Sequence, residues 1–416
     1  MIRLALFHNL PSGGAKRALF ETVQRLAQNH TIDCYTLSSA NSSFCDLRPF
    51  VHNHYVFEFE PLPLLGSPFG RLNQLQRWRS LQKLNTLSQQ IAERIDTQHY
   101  DLVYAHPSLW TQAPTILRYL QTPTIYHVHE PLRLVYDPKI LRPYIKEGWR
   151  DRMDQFDPLK SLYLKEVTRL DYCNTVTATR LLSNSHHTTS NIQRFYGQPS
   201  TVAYFAVDTE SFHPIQHLEK SDFVLAVGEI NPNKGYDFLI KAIGSIPSPA
   251  RPPLRIIGNA NNRQEYNYLI DLAQKYQVDF TVEIMVDQET LLRRYNEALL
   301  IVYAPLREPF GLVALEAMAC GTPVVGVAEG GLNESIKNGF SGLLVERDEH
   351  QFADAVCRLL ENDKERITLG QQARYHVLEH WTWERSVKNL ESHFYEFIDD
   401  QSHKKVQQKT YKASPL

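Results

Sequence analysis

Short apolar runs alternate along this chain with longer stretches in which apolar residues return every three or four positions. The runs predict strands over 4–8, 33–37, 102–105, 124–128 and 180–183, then over 223–227, 254–257, 280–284, 299–303 and 323–327. Between them, Ala18, Leu19, Val23 and Leu26 supply the buried stripe of a helix over 15–28, and further helices are expected over 236–246 and 312–320. A strand, a glycine-containing loop and a helix open each half, the first at Ile2 and the second at Phe223. That order is written by doubly wound α/β folds with a parallel sheet covered by helices. The stretch 206–221, with Pro214 and no periodicity, reads as the linker between two domains, and 401–416 as a frayed tail without a role.

One helix breaks the pattern. From Pro309 to Ala328 the only charged residue is Glu316, whose neighbours Leu312, Val313, Ala314, Leu315, Ala317, Met318 and Ala319 make a helix that is apolar nearly all round. An unpaired carboxylate there costs several kcal/mol, so Glu316 needs hydrogen-bond donors. An arginine, a neighbouring helix N-terminus or a pair of ligand hydroxyls would each serve. Glu308 precedes the helix and Gly311 opens it with bare N–H groups, a favourable place for an anion. Gly321 closes it before the strand at 323–327. Two carboxylates bracketing a phosphate suit a nucleotide joined to a sugar.

Other polar residues fall at strand ends, where open α/β sheets bind ligands. His106 and His129 close the strands at 102–105 and 124–128, and Gly13-Gly14 follows the first strand. Singly, each has an ordinary explanation as a loop cap or a turn; three at one rim favour a ligand site. Lys234, beside Gly235 and before a helix, is either a solvated charge or a phosphate ligand. If the strand ends of the two sheets face each other, the cleft between them holds the ligand.

Composition narrows the class. A chain of 416 residues exceeds one hydrophobic core. A net charge of −2, with 22% charged residues, gives no overall attraction to nucleic acid or to an anionic membrane. Cys34, Cys45, Cys173, Cys320 and Cys357 are scattered without a zinc-like spacing, which fits a reducing compartment. The apolar start, Met1 to His8, is too short for a signal peptide and reads as the first strand.

Together these motifs resemble the family 4 glycosyltransferases of the GT-B fold, which have two Rossmann-like domains. Pro11-Ser12-Gly13-Gly14-Ala15-Lys16-Arg17 is similar to the N-terminal glycine loop, and Pro232-Asn233-Lys234-Gly235 to the lysine loop. Glu308 to Glu316, with Gly321-Thr322-Pro323-Val324-Val325 and Gly330-Gly331, is similar to the E-x7-E region. The resemblance is strongest over 223–347. It implies an enzyme, a retaining glycosyltransferase, moving a sugar from a nucleotide-diphosphate sugar to a sugar or lipid-linked acceptor hydroxyl in glycan, polysaccharide or glycolipid synthesis, with no cofactor or metal. It assigns catalysis to His129, Glu308 and Lys234. Donor binding falls to Gly13, Gly14, Lys234, Glu308, Phe310, Gly311, Leu312 and Glu316: Lys234 on the diphosphate, Glu308 on the sugar, Glu316 on the ribose hydroxyls. It divides the chain into an acceptor-side domain over 1–205, joined by a returning helix at 385–400, and a donor domain over 206–384.

With the scattered cysteines and the charge balance, the expectation is a cytoplasmic enzyme with no nucleic-acid partner. Where the family has an arginine beside the diphosphate, this chain has Glu229, which removes a phosphate partner. Either Glu229 points away and a cation such as Arg307 replaces the arginine, or the leaving group is less well stabilised. The alternatives are a catalytically impaired sugar-binding protein and another enzyme of the same fold, such as a nucleotide-sugar epimerase or a phosphorylase. Over 69–95, Leu84, Leu87, Ile91 and Ile95 make a core stripe, while Leu72, Leu75 and Trp78 lie beside Arg71 and Arg79 on another face. An ordinary amphipathic helix is the main expectation there. Peripheral contact with the inner membrane face is the second.

Overall fold

The structure, a computed structural model, describes residues 1–66, 72–145, 157–258 and 262–412, with side chains to 403. The chain divides into two compact units. The first comprises Met1–Pro138, Lys146–Tyr204 and the chain from Ser386; the second comprises Lys139–Ile145 and Phe205–Arg385.

In the first unit, strands β1 (Arg3–Asn9), β2 (Thr31–Leu37), β3 (Asn53–Phe57), β4 (Leu102–Ser108), β5 (Thr124–Val128), β6 (Arg180–Ser183) and β7 (Thr201–Val202) form a parallel sheet in the order β3-β2-β1-β4-β5-β6-β7. Every residue of β4 and β5 is buried, which is why these strands read as continuous apolar runs. Helices α1 (Gly14–Leu26), α2 (Asn73–Asp96), α3 (Pro158–Thr177) and α4 (His186–Tyr196) belong to the same unit. Residues Leu84, Ile91 and Ile95 of α2 pack with Phe7, Tyr35 and Val103 in its core, and Leu87 packs against them partly buried. The other face of α2 leaves Leu72, Leu75 and Trp78 at 42, 40 and 42% exposure. Residues 69–71 of the expected 69–95 segment lie outside the described residues.

The second unit repeats the plan with β8 (Ser221–Val227), β9 (Leu254–Gly258), β10 (Phe280–Ile284), β11 (Ala298–Tyr303), β12 (Val324–Val327) and β13 (Leu343–Val345). These are parallel in the order β10-β9-β8-β11-β12-β13. Its helices are α5 (Tyr236–Ser245), α6 (Arg263–Lys275), α7 (Gln288–Glu297), α8 (Leu312–Ala319), α9 (Glu349–Glu361) and α10 (Asp363–His380). Strands β3, β7 and β13 were not expected. All three lie at sheet edges and are short or partly exposed: β3 opens on polar Asn53 and His54, β7 has two residues and β13 three.

In each sheet the strand order reverses between two neighbours, β1 and β4 in the first unit and β8 and β11 in the second. The carboxyl ends of those strands are where such sheets hold ligands. The helices that follow β1, β8 and β11 are α1, α5 and α8, which start on Gly13, Gly235 and Gly311 with no side-chain cap. By contrast, α3, α4, α6, α7, α9 and α10 are capped by Asp157, Ser185, Asn262, Asp287, Asp348 and Asn362. First-turn N–H groups at the uncapped ends remain for other partners.

The last helix, α11 (Trp383–Lys412), continues past Gln401, where the sequence suggested a frayed tail; 413–416 lie outside the described residues. Its residues from Ser386 belong to the first unit. There Glu391 Oε1 lies 2.8 Å from His30 Nε2, Arg180 Nη2 donates to Asp400 at 2.6 Å, and the buried Phe394 ring meets Tyr104 edge-on at 5.1 Å. Replacing Phe394 by Ala should destabilise the first unit by about 3–5 kcal/mol. Urea denaturation followed by circular dichroism would show this as a lower midpoint with secondary structure intact in buffer.

Candidate active site

The switch point of the second unit brings two loops together. After β8 the chain passes Gly228 and Glu229, forms a turn over Pro232–Lys234 and enters α5 through Gly235. Asn231 Oδ1 accepts from Asn233 N at 3.0 Å to shape that turn. Gly235 has a φ of +67°, and a Cβ there would overlap the carbonyl of Ala304 just beyond β11, so this position requires glycine twice over. Leu306 N donates to Asn233 O at 2.7 Å, tying the loop after β11 to the lysine turn.

Beyond β11, Gly330 and Gly331 touch the backbone of Glu308 and Pro309 so closely that any side chain would collide, and Gly331 N donates to Glu308 O at 2.8 Å. This packing places the Glu308 carboxylate 3.1 Å from Lys234 Nζ. Tyr303, the last residue of β11, is buried. Its hydroxyl is pushed well above its ordinary pKa first by burial and then by Glu308, to which it is also hydrogen-bonded.

Gly311 opens α8 with a φ of +96°, and a Cβ there would lie 2.6 Å from Leu332 Cδ2 and 3.3 Å from Ser335 Oγ. Phe310 is a core residue, edge-on to Trp381 at 5.5 Å and to Phe205 at 6.3 Å, so only its backbone is available to a ligand. Glu316 is buried on α8 and accepts from Tyr295 Oη at 2.7 Å. The sequence suggested an arginine, a helix N-terminus or ligand hydroxyls as its donors. One donor is a tyrosine brought from α7, far from the motif in sequence.

Among the described residues, two buried hydroxyls beside these loops have no hydrogen-bond partner: Ser335 Oγ beside Gly311, and Tyr236 Oη, 3.1 Å from where a Cβ of Gly228 would stand. Buried polar atoms are nearly always satisfied, so two orphans at the glycines of two such loops mark a place for polar ligand atoms. Glu229 is exposed and accepts from Asn231 Nδ2 at 2.9 Å. Arg307 is exposed with a φ of +50°.

In the first unit, the switch point collects bases. His129, just past β5, has Nε2 at 3.0 Å from Nδ1 of His106 in β4. The His127 ring centroid lies 5.7 Å from that of His106 and 5.6 Å from that of His129, and its Nδ1 is 2.7 Å from Tyr104 Oη. Lys16, in the first turn of α1 and almost fully buried, reaches Nε2 of His8 at 3.3 Å. Gly13 and Gly14 stand at the start of the same helix.

Burial pushes the His129 pKa down to about 3 and those of His8, His106 and His127 well below the ordinary value; it also lowers Lys16. His129 is therefore neutral near pH 7 and can exchange hydrogen bonds but supplies no positive charge. The sequence singled out His106 and His129 at strand ends. Lys16 stood inside the quoted glycine motif without being selected, and Tyr236, Tyr295, Tyr303 and Ser335 gave no local signal, since their hydroxyls matter only through the packing that delivers them.

Against this geometry, sequence comparison is decisive. Residues 12–211 match the model for Glycosyltransferase Family 4 and residues 207–376 that for Glycosyl transferases group 1, so the two matches run across nearly the whole chain. The chain belongs to the family 4, group 1 glycosyltransferases. A D-inositol 3-phosphate glycosyltransferase of Salinispora tropica is 26% identical, covering 91% of this chain and 80% of the relative. An uncharacterised glycosyltransferase of Methanocaldococcus jannaschii is 28% identical over 59% of this chain and 67% of its own.

Among solved structures, sucrose-phosphate synthase from Thermosynechococcus elongatus superposes with a TM-score of 0.72 at 19% identity, covering 96% of this chain and all of that one. Anabaena HepE, in complex with UDP and glucose, gives 0.63 at 17%, covering 94% and 99%. The fold of this glycosyltransferase is thus GT-B, and the enzyme is a transferase.

The buried histidines fix a pH dependence. They are neutral in the folded first unit and take up protons on unfolding, so the unfolded state binds more protons below about pH 6.5. Their pKa values are depressed on folding, so the stability they contribute is present above pH 6.5 and falls as pH drops below it, for His129 by up to about 1.4 kcal/mol per pH unit until its folded value of about 3 is reached. Thermal denaturation between pH 7.5 and 4.5 should show that decline, and His129→Gln should make it shallower. An unchanged slope in the variant would contradict the assignment.

Proposed function

We propose that this glycosyltransferase binds a nucleotide-diphosphate sugar on its second unit and transfers the sugar with retention of anomeric configuration and without a metal. The observation that carries the reading is the meeting of Lys234, Glu308 and the uncapped start of α8 at the sheet's switch point. Departure of the nucleotide diphosphate leaves positive charge on the anomeric carbon and negative charge on the leaving phosphate. Catalysis needs cations and N–H groups at that phosphate. In this reading Lys234 leaves Glu308 for the diphosphate, with N–H groups at Gly311 and Leu312 beside it. Glu308 turns to the sugar and Glu316 to the ribose hydroxyls.

The acceptor hydroxyl must lose a proton as it attacks, and in a same-face substitution the leaving phosphate oxygen is near enough to take it. His129 is neutral, which suits the hydrogen-bonding role the family resemblance gives it. Glu229 removes one phosphate partner, which puts more weight on Lys234. The acceptor is a sugar or a lipid-linked sugar, as glycan, polysaccharide or glycolipid synthesis requires. The five unpaired cysteines suit the reducing cytoplasm.

The experiment is donor turnover with UDP-, GDP- and ADP-linked sugars in the presence of EDTA, with the anomeric configuration of the product read by NMR. Lys234→Ala and Glu308→Ala should each lower turnover at least ~100-fold while the melting temperature stays within a few degrees. Near-normal turnover in either variant, or an inverted product, would overturn the corresponding part of the reading.

A second reading concerns α2. Among the described residues no helix is long and apolar enough to cross a membrane. Leu72, Leu75 and Trp78 nevertheless stay exposed beside exposed Arg77 and Arg79, a composition suited to an anionic lipid surface. A Trp78→Ala, Arg79→Ala double variant should co-sediment less with vesicles containing phosphatidylglycerol than the wild type does. Equal sedimentation would remove the membrane reading.

A further inference from the structure

Between β5 and α3 the chain leaves the first unit, and Lys139–Ile145 belong to the second. Arg142 anchors this segment. Its guanidinium meets Glu265, a wholly buried residue in the first turn of α6, through Nε at 3.1 and 3.0 Å and Nη2 at 3.0 Å. Tyr144 Oη adds a donor to Glu265 Oε2 at 2.6 Å, and the Tyr268 ring centroid lies 5.4 Å from the guanidinium carbon of Arg142. A buried carboxylate needs such a partner.

Neutralising Glu265 does not account for all of Arg142. The same side chain donates from Nη1 and Nη2 to the two oxygens of Asp237, at 3.0 and 3.1 Å, and from Nη2 to Pro232 O at 3.3 Å. Pro232 and Asp237 bracket Lys234: one begins its turn and the other lies in the first turn of α5. On its opposite side this loop is held by Ala304 against Gly235 and by the Leu306–Asn233 hydrogen bond. The lysine turn is therefore gripped from two sides, and Arg142 is the grip that comes from a remote part of the sequence.

We infer that Arg142 is a positioning residue for Lys234: through Pro232 and Asp237 it fixes the turn that presents the lysine ammonium to a nucleoside diphosphate. The inference rests on reading Lys234 as the diphosphate ligand. A planar fork with five donors can hold two carboxylates and a carbonyl at once, which the ammonium of a lysine at position 142 would not reproduce.

The test is the preference for a diphosphate over a monophosphate, measured by calorimetry in EDTA on the full chain with UMP and UDP, GMP and GDP, and AMP and ADP. A purely structural role would not move this ratio. Asp237→Ala removes the tie to α5 while leaving the Arg142–Glu265 pair, so folding is spared. Arg142→Met combined with Glu265→Gln removes both buried charges together.

Both variants should lose diphosphate preference by roughly ten-fold, the scale of a charge-assisted contact, with monophosphate affinity retained. Arg142→Lys should restore only part of it. If Lys234→Ala abolishes the preference while Asp237→Ala keeps the wild-type ratio, the positioning role is wrong and the reading of Lys234 survives. If the double variant fails to fold, Asp237→Ala decides alone. If the wild type shows no preference, or Lys234→Ala keeps it, the donor reading and the inference fall together.

Discussion

Backbone meeting backbone at the ends of β8 and β11 is the constraint on which the candidate donor site depends. Glycine at 235 lets the lysine turn rest on Ala304, and glycines at 330 and 331 let the Glu308 segment lie against the loop after β12. No side chain larger than hydrogen fits at these contacts, so the loops cannot separate without losing them. Lys234 and Glu308, 74 residues apart in sequence, are thereby held within a hydrogen bond of each other. A parallel sheet supplies the meeting place, because the strand order reverses between β8 and β11 and leaves their carboxyl ends flanking a crevice.

The two units solve the cost of burying polar groups in different ways. The second keeps charge and pairs it: Glu308 with Lys234, Glu316 with Tyr295, and Glu265 with Arg142 and Tyr144. Such pairs hold geometry at the expense of desolvation, and they suit a site that must handle a charged leaving group. The first unit discharges its bases instead. Four histidines at or beyond the ends of β1, β4 and β5 are kept neutral by burial, and they form short contacts with one another, with Tyr104 and with Lys16. A neutral imidazole exchanges hydrogen bonds without bringing charge into the buried cluster.

Much of this was legible in the sequence. The central strands announce themselves as apolar runs because both of their faces are covered, and the glycines that open α1, α5 and α8 stand where the strands stop. Glu316 stood out because a charge in an apolar helix demands a partner. What was hidden follows from distance along the chain. Tyr295 sits on α7 and reaches Glu316 only after folding, and Arg142 lies in a segment that looks like an ordinary loop of the first half. The edge strands β3 and β13 were hidden for a different reason: β3 opens on polar Asn53 and His54, and β13 is only three residues long, too short for its apolar run to stand apart from a loop.

The central claim, that the switch point of the second unit is a metal-independent site for a nucleoside diphosphate joined to a sugar, is tested most directly by thermal stabilisation. The purified protein would be melted in EDTA with uridine, guanosine and adenosine diphosphates and with their sugar conjugates, since a ligand of the native state raises its melting temperature by an amount that grows with the logarithm of its affinity. The account predicts selective stabilisation by one base, larger for the diphosphate and its sugar than for the nucleoside alone, and abolished by Glu316→Gln together with Lys234→Ala. No stabilisation by any of the three bases, or stabilisation that the double variant leaves intact, would contradict it.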